Sequence, residues 1–243
     1  GDCGCSETLC SIEELLEFRK LLLQSNIKLH YISPKVTQHT IDKEFDRVTI
    51  LLDKGVSVSV NDWGLMYRLK PVMKPHYDVY IGRLLNKSIA DWAWSSTFLS
   101  REEKDVVDYF TQNNFHHKIK IQYFKEWGIK GIEVSLHSAS ESSYENISRQ
   151  GLRVMAYADN TILAVSRSCP LVRLESGCKG TKDCRELCQD KYTVVPEGEK
   201  QREVYPDIEL WGNVMYRPQN VIPKWDGYSK VVYTWTPELV DRI

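Results

Sequence analysis

The chain has 243 residues, the size of one large α/β domain or at most two small ones. Hydrophobic residues make up 42% and charged residues 27%, which sets it among globular proteins rather than disordered or fibrous ones. Its 32 basic and 33 acidic residues nearly cancel, which argues against a protein gripping a long nucleic acid and makes RNA a less favoured partner.

No apolar run approaches the roughly 18 residues needed to span a bilayer, and no signal-peptide pattern opens the chain. A cytoplasmic protein without a membrane span is therefore expected. The first residue is Gly1 rather than Met, which leads us to expect a processed or engineered start, or residues preceding it.

Ser11 begins the first predicted helix, with Glu14 three residues on as a capping box requires, and Leu15, Leu16, Phe18, Leu21, Leu22 and Leu23 continue it to Asn26. Lys28 to Ser33 reads as a strand, and a helix follows from about Val36 to Leu52, stopped by Asp53-Lys54-Gly55. Val56 to Val60 alternates valine with serine, as a strand does. Trp63 to Lys70 is helical and Tyr77 to Ile81 a strand. Arg101 to Asn113 and His117 to Trp127 are helical, Gly131 to Leu136 a strand, Ser140 to Arg149 a helix and Arg153 to Tyr157 a strand. Asp159-Asn160 reads as a turn joining that strand to Ile162 to Val165 in a hairpin. Ile208 to Leu210 and Val231 to Tyr233 add two further strands.

Strands separated by helices imply parallel pairing, because each crossover needs a helix-length connection. A TIM-like (β/α) barrel is the preferred arrangement and a doubly wound open sheet the alternative. No GxGxxG fingerprint of a dinucleotide fold follows any strand. About seven strands are visible, one short of a full barrel, so a first strand before Gly1 is expected. No repeat or linker divides the chain, which reads as a single domain over 1–243 with a cysteine-rich insertion at about 167–200.

The seven cysteines are Cys3, Cys5, Cys10, Cys169, Cys178, Cys184 and Cys188, an odd number in two groups with 11–168 free of cysteine between them. A secreted disulfide scaffold is usually smaller and spreads its cysteines. Clustering points to metal. Cys184 and Cys188 lie one helical turn apart, about 6 Å between Cβ atoms, within reach of one centre. Cys169 precedes them and is followed by Pro170, a pairing common in iron–sulfur proteins. A fourth ligand from the Gly1–Ser6 segment would complete a [4Fe–4S] site. Zinc is the competing metal, although structural zinc usually employs paired CxxC knuckles, absent here. Buried free thiols are the bland alternative.

The same residues resemble the collagenase-like peptidase family U-32, and within it the small UbiU/UbiV type. Gly1-Asp-Cys-Gly-Cys-Ser6 resembles the family's glycine–acid–x–x–Cys–Ser turn, Val60-Asn-Asp-Trp-Gly-Leu its "NDxG" strand end, and Ile81-Gly-Arg-Leu-Leu its "GRLL". Gly128-Ile-Lys-Gly-Ile-Glu-Val fits the next strand entry, Leu163-Ala-Val-Ser-Arg-Ser-Cys169 its "LAYSxRC", and Leu210-Trp-Gly a later "LNG". Asp159-Asn160 stands where the family has histidine-glycine, and Cys178 is additional, an alternative ligand to Cys184. The resemblance implies a TIM-like barrel holding a [4Fe–4S] cluster on Cys5, Cys169, Cys184 and Cys188. It also implies oxygen-independent hydroxylation of a small-molecule or quinone-like precursor, with prephenate as possible oxygen donor. A partner of the same family, in a heterodimer or homo-oligomer, follows from it too.

Barrel function sits at the C-terminal ends of strands. That rule selects His30, Tyr31, Asn61, Asp62, Arg83, Glu133, His137 and Arg167, of which Arg83, Asn61, Asp62, His137 and Arg167 are the candidate substrate-binding residues. A guanidinium fork at Arg83 suits a dicarboxylate; its structural alternative is a loop-holding ion pair. Asn61 and Asp62 could equally cap the next helix, and His137 could be a satisfied histidine. His116-His117 suits a helix-dipole complement better than a metal pair. Trp92 and Trp94, beside Asp91 and Ser95, suit a pocket or a partner surface. Two other classes compete with the iron–sulfur hydroxylase. One is a peptidase-like hydrolase, for which no GxSxG signature is present. The other is a non-catalytic Fe–S or zinc-stabilised barrel that binds a protein or RNA.

Overall fold

The computed structural model describes residues 5, 9–92, 94–137, 140–166, 169–177, 192–194, 208–219 and 221–233. Helix α1 (Ile12–Gln24) starts at the predicted capping box: Ser11 Oγ accepts from Glu14 N at 3.2 Å, and Glu14 Oε2 accepts from Ser11 N at 2.7 Å. None of its residues is buried, and Phe18, Leu21 and Leu23 are exposed. Strand β1 (His30–Ile32) leads to α2 (Ile41–Asp53). That helix begins five residues later than predicted, because Thr37 and Thr40 close a turn first: Thr40 Oγ1 accepts from Thr37 N at 2.9 Å. Gly55, at φ +74°, then turns the chain into β2 (Ser57–Val60).

Helix α3 (Trp63–Leu69) precedes β3 (Val79–Ile81), and a 3₁₀ turn at Ile89–Asp91 precedes the short α4 (Ser95–Leu99) and α5 (Lys104–Phe110). Then follow α6 (Lys118–Glu126), β4 (Gly131–Ser135), α7 (Glu141–Arg149) and β5 (Arg153–Tyr157). The remainder contributes β6 (Asn160–Val165), α8 (Pro170–Ser176), β7 (Tyr192–Val194), β8 (Ile208–Trp211), β9 (Val214–Pro218) and β10 (Lys230–Val232). Among the described residues no helix is long and apolar enough to cross a membrane.

Six strands pair in parallel in the order β1-β2-β3-β4-β5-β10 and curl into a half-barrel, an incomplete (β/α) barrel. The other four form an antiparallel sheet, β6-β9-β8-β7. This corrects the expected hairpin. Strand β5 has β4 on one side and β10 on the other, so both its edges are taken and β6 pairs with β9 instead. Asp159-Asn160 is a crossing between sheets, not a hairpin turn. Ile208 to Leu210 likewise belongs to the antiparallel sheet.

Side chains alternate across a strand, so each half-barrel strand has two distinct faces. One carries Tyr31, Val58, Val60, Val79, Ile81, Ile132, Val134, Val154 and Ala156, all buried in a single core with Leu51, Leu65, Phe124 and Ile147 of the covering helices. The opposite face carries His30, Ser57, Ser59, Tyr80, Glu133, Ser135 and Tyr157. The helix side is therefore oily and the inner side polar. A second, smaller core joins the sheets, with Ile162, Val214 and Tyr216 packed against Ile32 and Leu84.

Candidate functional site

The inner face gathers a hydrogen-bonded chain of ionisable groups. Glu133, 1% exposed, lies 3.4 Å from His30 Nε2 and accepts from the Tyr157 hydroxyl at 2.9 Å. His30 is held at both ring nitrogens, Nδ1 to Ser57 Oγ at 2.7 Å and Nε2 to Ser59 Oγ at 2.8 Å. Burial pushes the Glu133 carboxyl up, but the His30 hydrogen bond and charge, with Arg83 and Ser59, outweigh it and hold the group below its usual range. Nearby Tyr80, edge-on to His30, is pushed up to about 12 by burial first and then by Asp78.

Arg83 is buried two residues beyond β3, with its guanidinium carbon 3.6 Å from the centre of the Tyr157 ring. Its Nη1 donates to Asn160 Oδ1 at 2.8 Å and to Asn160 O at 3.2 Å. Among the described residues, no acid pairs with it directly and its Nε and Nη2 make no hydrogen bond. The expected alternative of a loop-holding ion pair thus becomes a loop-holding contact with an amide.

Asn61 and Asp62, predicted together, do separate jobs. The Asn61 amide ties three strand ends: Nδ2 donates to Ser33 O at 3.0 Å, and Oδ1 accepts from Leu84 N at 3.0 Å. Both its polar atoms are thereby spent on backbone. Asp62 caps α3, its Oδ1 accepting from Gly64 N at 2.8 Å and from Leu65 N at 3.2 Å. Beside it opens a cleft of about 410 Å³ lined by Asp62, Trp63, Lys35, Lys87, Leu84 and the β6 backbone from Ile162 to Val165.

His137 lies at the C-terminal end of β4, buried and 2.9 Å from Asp91 through Nε2. Asp91, also buried, accepts from Ser88 N at 2.8 Å through its other oxygen. Burial pushes its carboxyl up, yet the hydrogen bond and charge of His137, with Lys87 and Ser88, hold it below the usual range. Arg217 of β9 reaches across to the same loop, donating to Trp92 O and Ala90 O at 2.9 Å and to Ser95 Oγ at 3.1 Å. Tyr31, on the helix side of β1, donates to Glu44 at 2.7 Å, away from the inner face. His116 and His117 lie ring against ring, tilted by 41°, before α6, near its start rather than the helix end a dipole complement would need.

Of the predicted metal ligands, Cys169 is the buried N-cap of α8, packed with Leu171, Val172 and Leu210, and Cys5 is half-buried. Cys184, Cys188 and Cys178, like Cys3 and Arg167, lie outside the described residues. The two described sulfurs have the donor chemistry a cluster takes. Among the described residues no group of three or more His, Cys, Asp or Glu could hold a metal ion.

No family model, curated protein or solved structure matches this chain.

Five participants in these networks escaped the sequence reading: Tyr157, Ser57, Ser59, Asp91 and Arg217. The serines had a visible signal. Val56-Ser-Val-Ser-Val60 states in its alternation that one face of β2 is polar, and a polar inner face is where a barrel site would lie. Asp91 and Arg217 had none, since nothing in local spacing couples residue 91 to residue 137 or 217.

Proposed function

We propose that the chain is an iron–sulfur half-barrel of the U-32-like type, an oxygen-independent hydroxylase or the cluster-bearing subunit of one. It acts on a small anionic or quinone-like molecule in the cytoplasm, with prephenate as possible oxygen donor and a family member as possible partner. The observation that carries an enzymatic role is the polar inner face. A purely structural barrel buries apolar side chains there, whereas this one buries Glu133, Arg83 and Tyr157 in one network. Buried, mutually perturbed ionisable groups concentrate at functional sites.

The chemistry assignable to this chain's own residues is binding and proton holding. Arg83, fixed on Tyr157 and Asn160, offers its remaining N–H groups to a carboxylate. Glu133 stays ionised and offsets the nearby Arg83 charge. Cys5, Cys169, Cys184 and Cys188 would hold the [4Fe–4S] cluster, with zinc as the alternative metal. When bound, the cluster supplies one-electron transfer or cross-links the barrel to its cysteine-rich loop.

Anaerobic purification followed by iron, sulfide and zinc analysis tests this reading. About four irons and four sulfides per chain, with a broad visible absorption lost in Cys184→Ala, is the expected result for Cys₄ ligation. One zinc and no sulfide would replace it with a zinc-stabilised barrel, and no metal would sink it.

One observation favours a second reading. Ser57 Oγ is hydrogen-bonded to His30 Nδ1, and Glu133 lies 3.4 Å from Nε2, which Ser59 Oγ also engages; this hydroxyl–imidazole–carboxylate alignment is of the kind a hydrolase needs, although no sequence signature announces it. Labelling by a fluorophosphonate that disappears in Ser57→Ala would select this reading; an unlabelled protein would remove it.

A further inference from the structure

The Asp91–His137 contact is built from three separate parts of the fold. His137 follows β4 and continues the inward file of Glu133 and Ser135, since alternate residues share a face. Asp91 comes from the loop after β3, in a 3₁₀ turn whose carbonyl at Ala90 and whose neighbours Trp92 and Ser95 are gripped by Arg217 from the second sheet. Ligand sites favour such junctions between packed units, and barrels place their chemistry at this end of the strands.

The geometry also fixes the ring's chemistry. An ionised carboxylate only accepts, so Asp91 Oδ1 at 2.9 Å holds the proton of His137 on Nε2. In the neutral ring Nδ1 then carries the lone pair, and among the described residues Nδ1 makes no hydrogen bond. A histidine whose far nitrogen is anchored by a buried carboxylate and whose near nitrogen has no hydrogen bond among the described residues is the arrangement of a general base. If this histidine only filled space, a buried anion with one further hydrogen bond, from Ser88 N, would be a costly means of doing so.

We propose that His137 Nδ1 is the proton-transfer atom of a small-molecule site at the mouth of the half-barrel, with Asp91 as its positioning residue. Nδ1 takes a proton from a substrate O–H or acidified C–H, and the bonding electron pair stays on the substrate. The ring becomes an imidazolium, neutralised by Asp91, which remains ionised throughout. The proton then passes to the product or to water. The proposal deepens the enzymatic reading above and relies on it for the existence of a substrate, but not for the state of the ring.

Acylation of the full-length, folded protein by diethyl pyrocarbonate, mapped by mass spectrometry, tests the arrangement directly. Wild-type His137 should take a carbethoxy group, which only an accessible, unprotonated ring nitrogen accepts. Asp91→Ala should shift the pH dependence of that labelling, because the carboxylate no longer faces the ring, and His137→Gln should abolish labelling at that position. Iron and sulfide content should be equal in all three proteins. A His137 that is unlabelled until the protein is denatured overturns the proposal, as does an unchanged pH dependence in a folded Asp91→Ala variant. Should Asp91→Ala not fold, the wild-type labelling decides alone. Expected labelling without iron would defeat the cluster reading and leave the dyad standing; iron with an unlabelled His137 would do the reverse.

Discussion

Asn61 and Gly82 are locked together closely enough for their energies to be worked out in advance. Truncating Asn61→Ala strands two backbone groups, Ser33 O and Leu84 N, each now bonded at 3.0 Å. An unsatisfied buried partner costs about 1–3 kcal/mol, so the variant should lose roughly 2–6 kcal/mol. A Cβ placed on Gly82 would stand 2.2 Å from Asn61 Oδ1 and 2.5 Å from its Cγ, which no real contact tolerates. Gly82→Ala should therefore cost about 1–3 kcal/mol by overpacking. The informative protein is the double variant. With Asn61 truncated the obstructing atoms are gone, so the added methyl becomes nearly free and the two losses should fall short of additivity by about 1–3 kcal/mol. Urea unfolding followed by tryptophan fluorescence and circular dichroism measures all four corners of the cycle. Additivity within about 0.5 kcal/mol would refute the argument that Asn61 is the strut against which β2 and β3 are set.

Glu133→Ala should cost about 3–5 kcal/mol, because it leaves the Arg83 guanidinium in a low-dielectric interior without the nearby anion, whereas Tyr157→Phe should cost about 1–3 kcal/mol; equal losses in urea titrations would contradict the charge argument. Asp91 and Glu133 both have carboxyls held below their usual range, so each supports the fold above about pH 4 and withdraws that support as pH falls through its folded value. Glu44 works in the opposite sense: burial raises it, so its contribution is present in acid and fades as pH rises through its folded value. Urea midpoints taken from about pH 7 to about pH 3 should thus fall on acidification, less steeply in Glu133→Gln, and an unchanged slope would count against the assignment. Ser11→Ala should remove about 0.5–2 kcal/mol of helix stability, read as a lower melting temperature.

The half-barrel was legible where hydrophobic period and local signals agreed. The capping box at Ser11 and Glu14 fixed the start of α1, and β2 announced both its strand character and its polar face through alternating valine and serine. What failed was pairing. Arg153 to Tyr157 and Ile162 to Val165 are two short apolar runs around Asp159-Asn160, the local pattern of a hairpin, yet the competing partner for β5 is β10, far along the chain. Strand β9 passed unnoticed as well. Its approach, Trp211-Gly212-Asn213-Val214, is a two-residue loop with Gly212 at φ +61°, the position a II′ turn reserves for glycine. The site divides the same way. Position along strands picked out Arg83, Glu133 and His137, while their true partners come from other loops and from the second sheet, and only the fold brings them together.

The pairing of β10 with β5 bears on how the molecule is assembled. Lys230 lies opposite Met155, 75 positions earlier, and the whole antiparallel sheet intervenes. Five strands can join one after another as they leave the ribosome, but the sixth must wait until that long excursion has been made. Closing so large a loop is entropically demanding and slow relative to local pairing. Until then the free edge of β5 is a parallel template open to the wrong strand. A nascent chain halted before residue 230 would therefore carry the inner-face residues in place beside an unsealed margin. The last short strand acts as a late clasp, and hydrogen exchange at Ala158, whose amide bonds Val232 O at 3.0 Å, would report when it fastens.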